Sequence, residues 1–472
     1  MKEHDEEVVD LKIEGAAFEG KGIARLDGYV VFVSGGVPGD LVRARILKRK
    51  RDYGEAKVVE VIQPSPLRVV PPCKYFGTCG GCRWQHLDYG EQLRFKRQHV
   101  VDALERTAGI NVDVAEAIGA EDIYGYRNKI EMTFSENPFR IYEGDPVKVA
   151  LGFHAPGRFD KTIDIEQCHL ADEKTNAVVD WFRKLIAPDS ELRRSLGVSI
   201  YDSRMHSGLL RFLTIRRSFA TGGLLVNLVL LNEDGSIGNL AAKLHGDLPF
   251  VSTFASIINR ARAQVATGDL WKIHFGAGFI TEKLGGYSFR ISPLSFFQTN
   301  TTQAEKLYAA ALAGLGGKRK VVYDMYSGTG SLSIYMSRYA DELYGFEVVE
   351  SSVRDAEANA ELNEVSNVKF TQTDLLELFK GGSPNQHFAD LGIPKPDLIV
   401  LDPPRSGLHP KIASGLHLLG AERIVYVSCN PMTQARDIKE IASHGYRVIS
   451  SQPVDMFPQT YHIENVLVME SL

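Results

Sequence analysis

The feature that most constrains the fold is a series of short apolar runs in the C-terminal part of the chain. After "FRISPLSFFQTN", the runs "KVVYDMYS", "ELYGFEVV", "NVKFTQTD", "PDLIVLDPP" and "RIVYVSCN" alternate with helical segments. Strands that are apolar throughout are buried on both faces, which predicts a parallel sheet with βαβ crossovers. We therefore expect an α/β, Rossmann-like domain over residues 287–472, with its ligands at the carboxyl ends of the strands.

The N-terminal residues carry a different pattern. Between residues 9 and 62, short strands alternate apolar and polar residues and are separated by Gly and Pro. This pattern predicts a small OB-like β-barrel over residues 1–68. The barrel sequence includes a basic run: Arg43, Arg45, Lys48, Arg49, Lys50 and Arg51. Such a run fits either a solvated strand edge that resists aggregation or a surface that binds a nucleic-acid backbone, and both interpretations stay open.

The 472 residues are too many for one ordinary core, so a multidomain protein is expected. Residues 69–286 mix helical and strand patterns and predict a central α+β domain, with an amphipathic helix that ends at Gly109. No apolar stretch is long enough to span a membrane, and the charged N-terminal residues do not resemble a secretion signal. We therefore expect a cytoplasmic protein without a membrane partner, and we predict a monomer.

Five cysteines occur in the chain, and their positions divide them into four and one. Cys73, Cys79 and Cys82 lie close together, Cys168 lies further along, and Cys429 belongs to the C-terminal apolar runs. Because cytoplasmic proteins rarely keep structural disulfides, the first four predict a metal site. Four thiolates fit either zinc or a [4Fe–4S] cluster; the spacing slightly favours zinc but does not decide the metal.

A cofactor site is predicted at the carboxyl ends of the first three C-terminal strands. The first strand runs into Tyr326 and a Gly-Thr-Gly turn, the second ends at Glu347 and the third at Asp374. Glycines allow close approach of a ligand to a helix N-terminus, and an acidic residue on the next strand suits ribose hydroxyls. The third glycine of the dinucleotide fingerprint is missing, so the pattern favours S-adenosylmethionine (SAM) over NAD. The alternative is that the acidic residues are only helix caps.

Cys429 follows the strand "RIVYVS", where a side chain would face the cofactor. A free cysteine is commonly only a small buried apolar residue. Here Asp402 and Arg405 end the preceding strand, and His462 and Glu464 lie near a final one. A thiolate, a carboxylate and a methyl donor suit methylation of uracil C5, because addition of the thiolate to C6 makes C5 nucleophilic. In this interpretation Cys429 is the nucleophile and Glu464 removes the C5 proton.

Six motifs then support a family resemblance. "CKYFGTCGGCRWQHL", "FFQTN", "DMYSGTGSLS", "LDPPRSGL", "VSCNP" and "HIENV" occur in the order seen in the iron–sulfur-containing RNA uracil-5-methyltransferases. The chain resembles this family over nearly its whole length, and its N-terminal strands resemble the TRAM RNA-binding domain. The glycine turn departs from many members, since Ser327 stands where they have Cys and Ser331 where they have Asn.

The resemblance implies several features that the residues alone do not establish. It implies a [4Fe–4S] cluster on Cys73, Cys79, Cys82 and Cys168 rather than zinc. It also implies SAM contacts from Gln298, Tyr326, Glu347 and Asp402, with Cys429 as nucleophile and Glu464 as proton acceptor. The TRAM-like domain and the cluster favour 23S ribosomal RNA as the substrate, with transfer RNA as the alternative. The target uridine would lie in a loop or be flipped out of its stack.

Two other functions are considered. An amino-methyltransferase acting on adenine or guanine would have an aromatic residue where this chain has Arg405, and it would need no Cys429. A non-catalytic RNA-binding protein is the alternative from another class, and the presence of Gln298, Cys429 and Glu464 argues against it.

Overall fold

The computed structural model describes residues 7–142, 144–268, 270–381 and 383–472. The chain folds into a small closed barrel, a central seven-stranded sheet and a C-terminal seven-stranded sheet. In these described ranges, no helix is both long and apolar enough to cross a membrane.

The N-terminal barrel contains five strands in the order β1-β2-β3-β5-β4. They are β1 (Val8–Ala16), β2 (Gly22–Leu26), β3 (Tyr29–Ser34), β4 (Leu41–Arg49) and β5 (Tyr53–Gln63). Alternate residues point inward, and side chains such as Leu11, Val31 and Val42 form the buried core. The closed barrel predicted from the alternating pattern is confirmed.

The basic run lies on β4 and the turn that follows it. Arg43 forms ion pairs with Asp10 and Glu60, and Arg49 forms one with Glu7. Both arginines are exposed, so these pairs add little to the stability of the barrel. Part of the positive charge is therefore balanced on the barrel itself.

Helix α1 (Tyr89–Ala103) begins at Asp88, whose side chain accepts hydrogen bonds from two backbone amides of the first turn. A π-helical turn, Leu104–Ala108, continues it, and the chain then turns at Gly109, which has a φ of 71°. Apolar side chains of these helices, including Val100 and Leu104, pack into the core of the C-terminal sheet. The predicted helix is confirmed, and its packing partner is the C-terminal rather than the central sheet.

The central sheet has the strand order β12-β11-β10-β9-β6-β7-β8. Its strands are β6 (Lys129–Ser135), β7 (Ala150–Ala155), β8 (Arg158–Asp164), β9 (Leu210–Arg217), β10 (Leu224–Leu230), β11 (Thr253–Ile258) and β12 (Leu270–Phe275). Helices α2 (Glu173–Ile186), α3 (Glu191–Leu196) and α4 (Ser236–Asp247) accompany it. The first and last of these helices bury apolar side chains in its main core.

A two-stranded hairpin connects the central sheet to the C-terminal one. It consists of β13 (Ile280–Leu284) and β14 (Tyr287–Ile291). The predicted boundary between residues 286 and 287 falls at the end of its turn, and the hairpin packs into the C-terminal core. The exact domain bounds stay a prediction.

The C-terminal sheet has the order β17-β16-β15-β18-β19-β21-β20, with β15 to β19 parallel and β21 antiparallel to its two neighbours. The strands are β15 (Arg319–Asp324), β16 (Ala340–Glu347), β17 (Val368–Gln372), β18 (Leu398–Leu401), β19 (Arg423–Ser428), β20 (Tyr446–Val454) and β21 (Glu464–Ser471). The helices are α5 (Thr301–Gly314), α6 (Ser331–Met336), α7 (Glu350–Leu362), α8 (Leu375–Leu378), α9 (Pro384–Asp390), α10 (Pro410–Gly415) and α11 (Pro431–Ala442), with short 3₁₀ turns at Ser337–Tyr339 and Leu416–Leu419. The strand order reverses between β15 and β18, where ligands bind in such sheets.

Candidate active site

The glycine turn after β15 has the conformation that the sequence suggests. Gly328 and Gly330 have φ values of 52° and 76°, which favour glycine. A Cβ on Gly330 would lie 2.6 Å from the ring of Phe370, so only glycine fits there without rearrangement. The amide of Gly328 donates a hydrogen bond of 3.1 Å to Glu347 Oε2 across the strand ends.

A cleft of about 580 Å³ lies beside this turn. Among the residues that line it are Tyr326, Glu347 and Asp374, which the sequence predicts as cofactor contacts. Asp374 also caps α8, because its side chain accepts a hydrogen bond from the amide of Leu376 at 2.9 Å. Asp374 is therefore a helix cap, and its exposed side chain also borders the cleft.

Gln298 lies beside Tyr308, close enough to influence the pKa of its hydroxyl. That hydroxyl lies 2.7 Å from Ser331 Oγ, at the start of α6 just after the glycine turn. Burial raises the pKa of Tyr308, and the charges of Asp402 and Asp324 raise it further. Gln298 is thus buried next to the ends of β15 and β18.

In the C-terminal sheet, the register between β19 and β21 brings Cys429 and Glu464 together. Ser428, the last residue of β19, pairs with Asn465 in the antiparallel ladder, so Cys429, which follows it, lies opposite Glu464, the first residue of β21. Cys429 is partly exposed, whereas Glu464 is buried. Two side chains distant in sequence therefore meet at the carboxyl edge of the sheet.

The electrostatics of this edge favour the neutral forms of its acids. Burial, assisted by the charge of Glu464, raises the pKa of Cys429 to about 11. Burial and the neighbouring Asp402 raise the pKa of Glu464 to about 8. Burial and Asp324 raise the pKa of Asp402 to about 7. Each carboxyl thus titrates near the pH at which a catalytic base works best.

Arg405 is the cation of this site. It lies close enough to Cys429 and Glu464 for its charge to oppose the rise in the pKa of both groups. Its Nη2 also lies 3.1 Å from Nδ1 of His462. Burial, together with the charge of Arg405, lowers the pKa of His462 to about 3, so this ring stays neutral and can accept a hydrogen bond.

All four remaining cysteines line one cavity of about 300 Å³, bordered also by Arg127. Burial raises the pKa of Cys79 to about 11 and that of Cys82 to about 12, and it raises the pKa of Cys168. Within the described ranges, no set of three or more His, Cys, Asp or Glu side chains has the arrangement needed to hold a metal ion. The cysteines are therefore brought together, but the predicted metal site is not shown.

Two regions of the chain match known protein families. Residues 88–471 match the tRNA (uracil-5-)-methyltransferase family, and residues 5–59 match the TRAM domain. The chain is therefore a member of the tRNA (uracil-5-)-methyltransferase family. This enzyme is a SAM-dependent RNA methyltransferase whose N-terminal barrel is a TRAM domain.

Relatives of this uracil-5-methyltransferase extend over almost its whole length. It is 42% identical to an uncharacterized RNA methyltransferase of Chlorobaculum tepidum, over 98% of this chain and 96% of the relative. It is 36% identical to an uncharacterized RNA methyltransferase of Porphyromonas gingivalis, over 97% of this chain and 99% of the relative. The crystal structure of Pyrococcus abyssi tRNA (uracil-54, C5)-methyltransferase in complex with S-adenosyl-L-homocysteine is also similar: the TM-score is 0.73 at 26% identity, and the match covers 98% of this chain and 100% of that one.

Sequence reasoning missed two side chains of this uracil-5-methyltransferase. Asp324 ends β15, is buried, and accepts a hydrogen bond from Ser333 at 2.6 Å; burial raises its pKa to about 6. Its position before the glycine turn was a usable signal. Tyr308 lies within α5 and carries no such signal.

Proposed function

We propose that the enzyme methylates C5 of a uridine through a transient bond between Cys429 Sγ and C6 of the base. The proposal is supported above all by the pairing of Ser428 with Asn465, which sets Cys429 opposite Glu464. Asp402 and Arg405 act electrostatically on the same two side chains. A nucleophile, two acids of raised pKa and one cation thus share a strand edge with the cofactor cleft.

In the first step, Cys429 Sγ bonds to C6, and the electron pair of the C5–C6 double bond moves towards O4. The thiol proton passes to Asp402, whose pKa of about 7 makes it a competent acceptor. Arg405, whose positive charge lowers the pKa of Cys429, stabilises the thiolate as it forms. C5 becomes electron-rich because of this addition.

Bound SAM supplies a sulfonium methyl group, which C5 attacks. The residues of the cleft fit this group: Glu347 offers carboxylate oxygens to ribose hydroxyls, and Tyr326 offers an aromatic ring beside it. Asp374 lines the same cleft, where its carboxylate can accept a hydrogen bond from an adenine amino group. Gln298 and Asp402 are proposed as further contacts on the side of the glycine turn that faces Tyr308.

In the last step, Glu464 removes the proton from C5. The C5–C6 double bond forms again, and the bond between C6 and Cys429 breaks, which returns the sulfur as a thiolate. Burial keeps Glu464 basic, since its pKa of about 8 lies well above that of an exposed glutamate. Without this residue the covalent intermediate would persist.

We further propose that Cys73, Cys79, Cys82 and Cys168 hold a [4Fe–4S] cluster. The donor set fits, because four partly buried thiols border one cavity and Arg127 can balance their negative charge. The cluster would link the segment before α1 to the central sheet, a structural role, and the methyl transfer needs no electron from it. Iron and sulfide analysis with the visible absorption spectrum tests this assignment.

The RNA substrate is proposed on two different grounds. The TRAM domain and the cluster favour 23S ribosomal RNA. Transfer RNA is the second candidate, because the similar Pyrococcus abyssi enzyme acts on transfer RNA and matches 98% of this chain. Mapping 5-methyluridine in both RNA classes from cells lacking the protein separates the two: the class that loses a methylated position contains the substrate.

The covalent mechanism is tested by substitution of its two central residues. With unmodified RNA and SAM, Glu464→Gln should accumulate a protein–RNA adduct on a denaturing gel, since addition proceeds but elimination does not. Cys429→Ala should form neither adduct nor 5-methyluridine. With 5-fluorouridine RNA, which has no C5 proton to lose, the wild-type enzyme should be trapped and Cys429→Ala should not. Methylation by Cys429→Ala at the wild-type rate would refute the proposal.

A further inference from the structure

The loop at residues 455–463, between β20 and β21, leads directly into Glu464. One residue in it, Gln459, has a φ of 69°, a backbone conformation that residues other than glycine rarely adopt. Gln459 is also 2% exposed, so this conformation occurs inside the protein rather than at a surface turn. A conformation of this kind persists only where the surroundings hold it.

The surroundings of Gln459 are unusually specific. Gln92 of α1 forms a reciprocal pair with it: Gln92 Nε2 donates to Gln459 Oε1 at 3.1 Å, and the Gln459 amide donates to Gln92 Oε1 at 3.1 Å. The carbonyl of Gln459 accepts hydrogen bonds from the amides of Arg83 and Trp84, both at 3.0 Å. Amide, side chain and carbonyl of Gln459 are thus all bonded to residues 83–92.

Gln92 is itself held firmly. It is fully buried, and its Nε2 also donates to the carbonyls of Trp84 and Leu87 at 3.0 and 2.9 Å. Further bonds fix the neighbouring loop residues, since Tyr126 donates to the carbonyl of Pro458 at 3.0 Å. The loop is therefore fastened to α1 and its preceding segment rather than to the catalytic sheet alone.

The residues that follow Gln459 lead into the active site. His462, three residues after Gln459, contacts Arg405, and Glu464 follows two residues later. A release of the backbone at Gln459 would change the path of the chain into both. Glu464 is the proposed acceptor of the C5 proton, and a displacement of about 1 Å can reduce a rate roughly 100-fold.

We propose that Gln92 is a positioning residue: by holding Gln459 in its left-handed conformation, it keeps the carboxylate of Glu464 aligned for removal of the C5 proton. The inference rests on the proposed function, because it assigns Glu464 to that step. It assigns Gln92 to elimination, the step that uses the Glu464 carboxylate.

The first test compares Gln92→Leu with a matched control, Asn367→Leu. Asn367 also donates from its side-chain amide to two carbonyls, those of Ser337 and Ala340, but it lies at the opposite end of the sheet. Gln92→Leu should lower kcat roughly 10- to 100-fold with little change in the KM for RNA, and it should accumulate the protein–RNA adduct. Asn367→Leu should show wild-type kcat and no adduct.

The second test does not depend on whether Gln92→Leu folds. Gln459→Gly and Gln459→Ala both lose the side-chain amide, but only glycine adopts the left-handed conformation without strain. Gln459→Gly should therefore keep a kcat roughly tenfold above that of Gln459→Ala, and the alanine variant should show more adduct. Melting temperatures of all variants establish that folded enzyme is compared.

The outcomes separate the inference from the function on which it rests. If Glu464→Gln accumulates adduct, but neither Gln92→Leu nor Gln459→Ala does so, the positioning role of Gln92 is refuted and the proposed function stands. Loss of activity through the KM for RNA alone would refute it as well. If Glu464→Gln forms no adduct, the assignment of Glu464 itself fails.

Discussion

The pH dependence of the reaction follows from the raised pKa values at the strand edge. Addition needs Asp402 ionised to receive the thiol proton, and elimination needs Glu464 ionised to receive the C5 proton. Their pKa values are about 7 and about 8. Because Cys429 gives up its proton within the reaction, its pKa of about 11 does not set the profile.

The expected magnitude can be worked from these values. At pH 6, about a tenth of Asp402 and about a hundredth of Glu464 are ionised. At pH 9 nearly all are. Methyl transfer is effectively irreversible and precedes the step that uses Glu464, so kcat/KM reports the ionisation of Asp402: it should rise about tenfold from pH 6 to pH 9, with a slope near one below pH 7 and a plateau above about 8. Where elimination limits turnover, kcat should follow Glu464 and rise about a hundredfold over the same range.

The assay measures methyl transfer to RNA from labelled SAM with both substrates below saturation, so that the free enzyme determines the profile. Asp402→Asn should lower the rate and remove one unit of slope, which identifies the group behind the lower pKa. A flat profile between pH 6 and 9 would refute the reasoning. So would a rise that continues without a plateau, since it would indicate that the thiol must ionise before it reacts.

Two further predictions concern stability and RNA binding. Lys96 and Asp455 form a fully buried ion pair of 2.7 Å. Lys96→Met should lower the free energy of unfolding by about 3–5 kcal/mol, because it leaves a buried charge unpaired, and the double variant Lys96→Met/Asp455→Asn should recover part of this loss. Denaturant titration measures both changes. Replacing Lys48 and Arg51 with alanine should reduce the slope of log K against log salt by roughly 0.7–0.9 for each lost phosphate contact, whereas Arg43→Ala, which removes an arginine already paired on the barrel, should change it less. An unchanged slope would favour the solvated-edge interpretation of the basic run.

Much of the fold was predictable because burial leaves a direct pattern in the sequence. Strands buried on both faces are apolar throughout, as in "PDLIVLDPP", whereas barrel strands alternate. The glycine turn was predictable as well, since Gly330 tolerates no Cβ. These signals are local, so a reading of neighbouring residues was sufficient to find them.

The remaining features depend on long-range contacts that leave no local pattern. Helix α1 was predicted to be amphipathic, but nothing in its sequence indicates that its apolar side packs against the catalytic sheet. The bonds between Gln92 and Gln459 join residues far apart in the chain, and glutamine at a positive φ breaks the usual preference for glycine. The contact of Arg405 with His462 depends likewise on how two loops meet.

The raised pKa values also explain how so many ionisable groups share one buried edge. At neutral pH Cys429 and most of Glu464 are protonated, so the resting site avoids the cost of burying several anions. A cationic sulfonium nearby should stabilise the ionised carboxylates, and SAM binding should therefore release up to about one proton at pH 7. Calorimetry in buffers of different ionisation enthalpy measures this release. S-adenosyl-L-homocysteine, which lacks the sulfonium charge, should release less; equal release by both ligands would show that the acids do not sense the methyl donor.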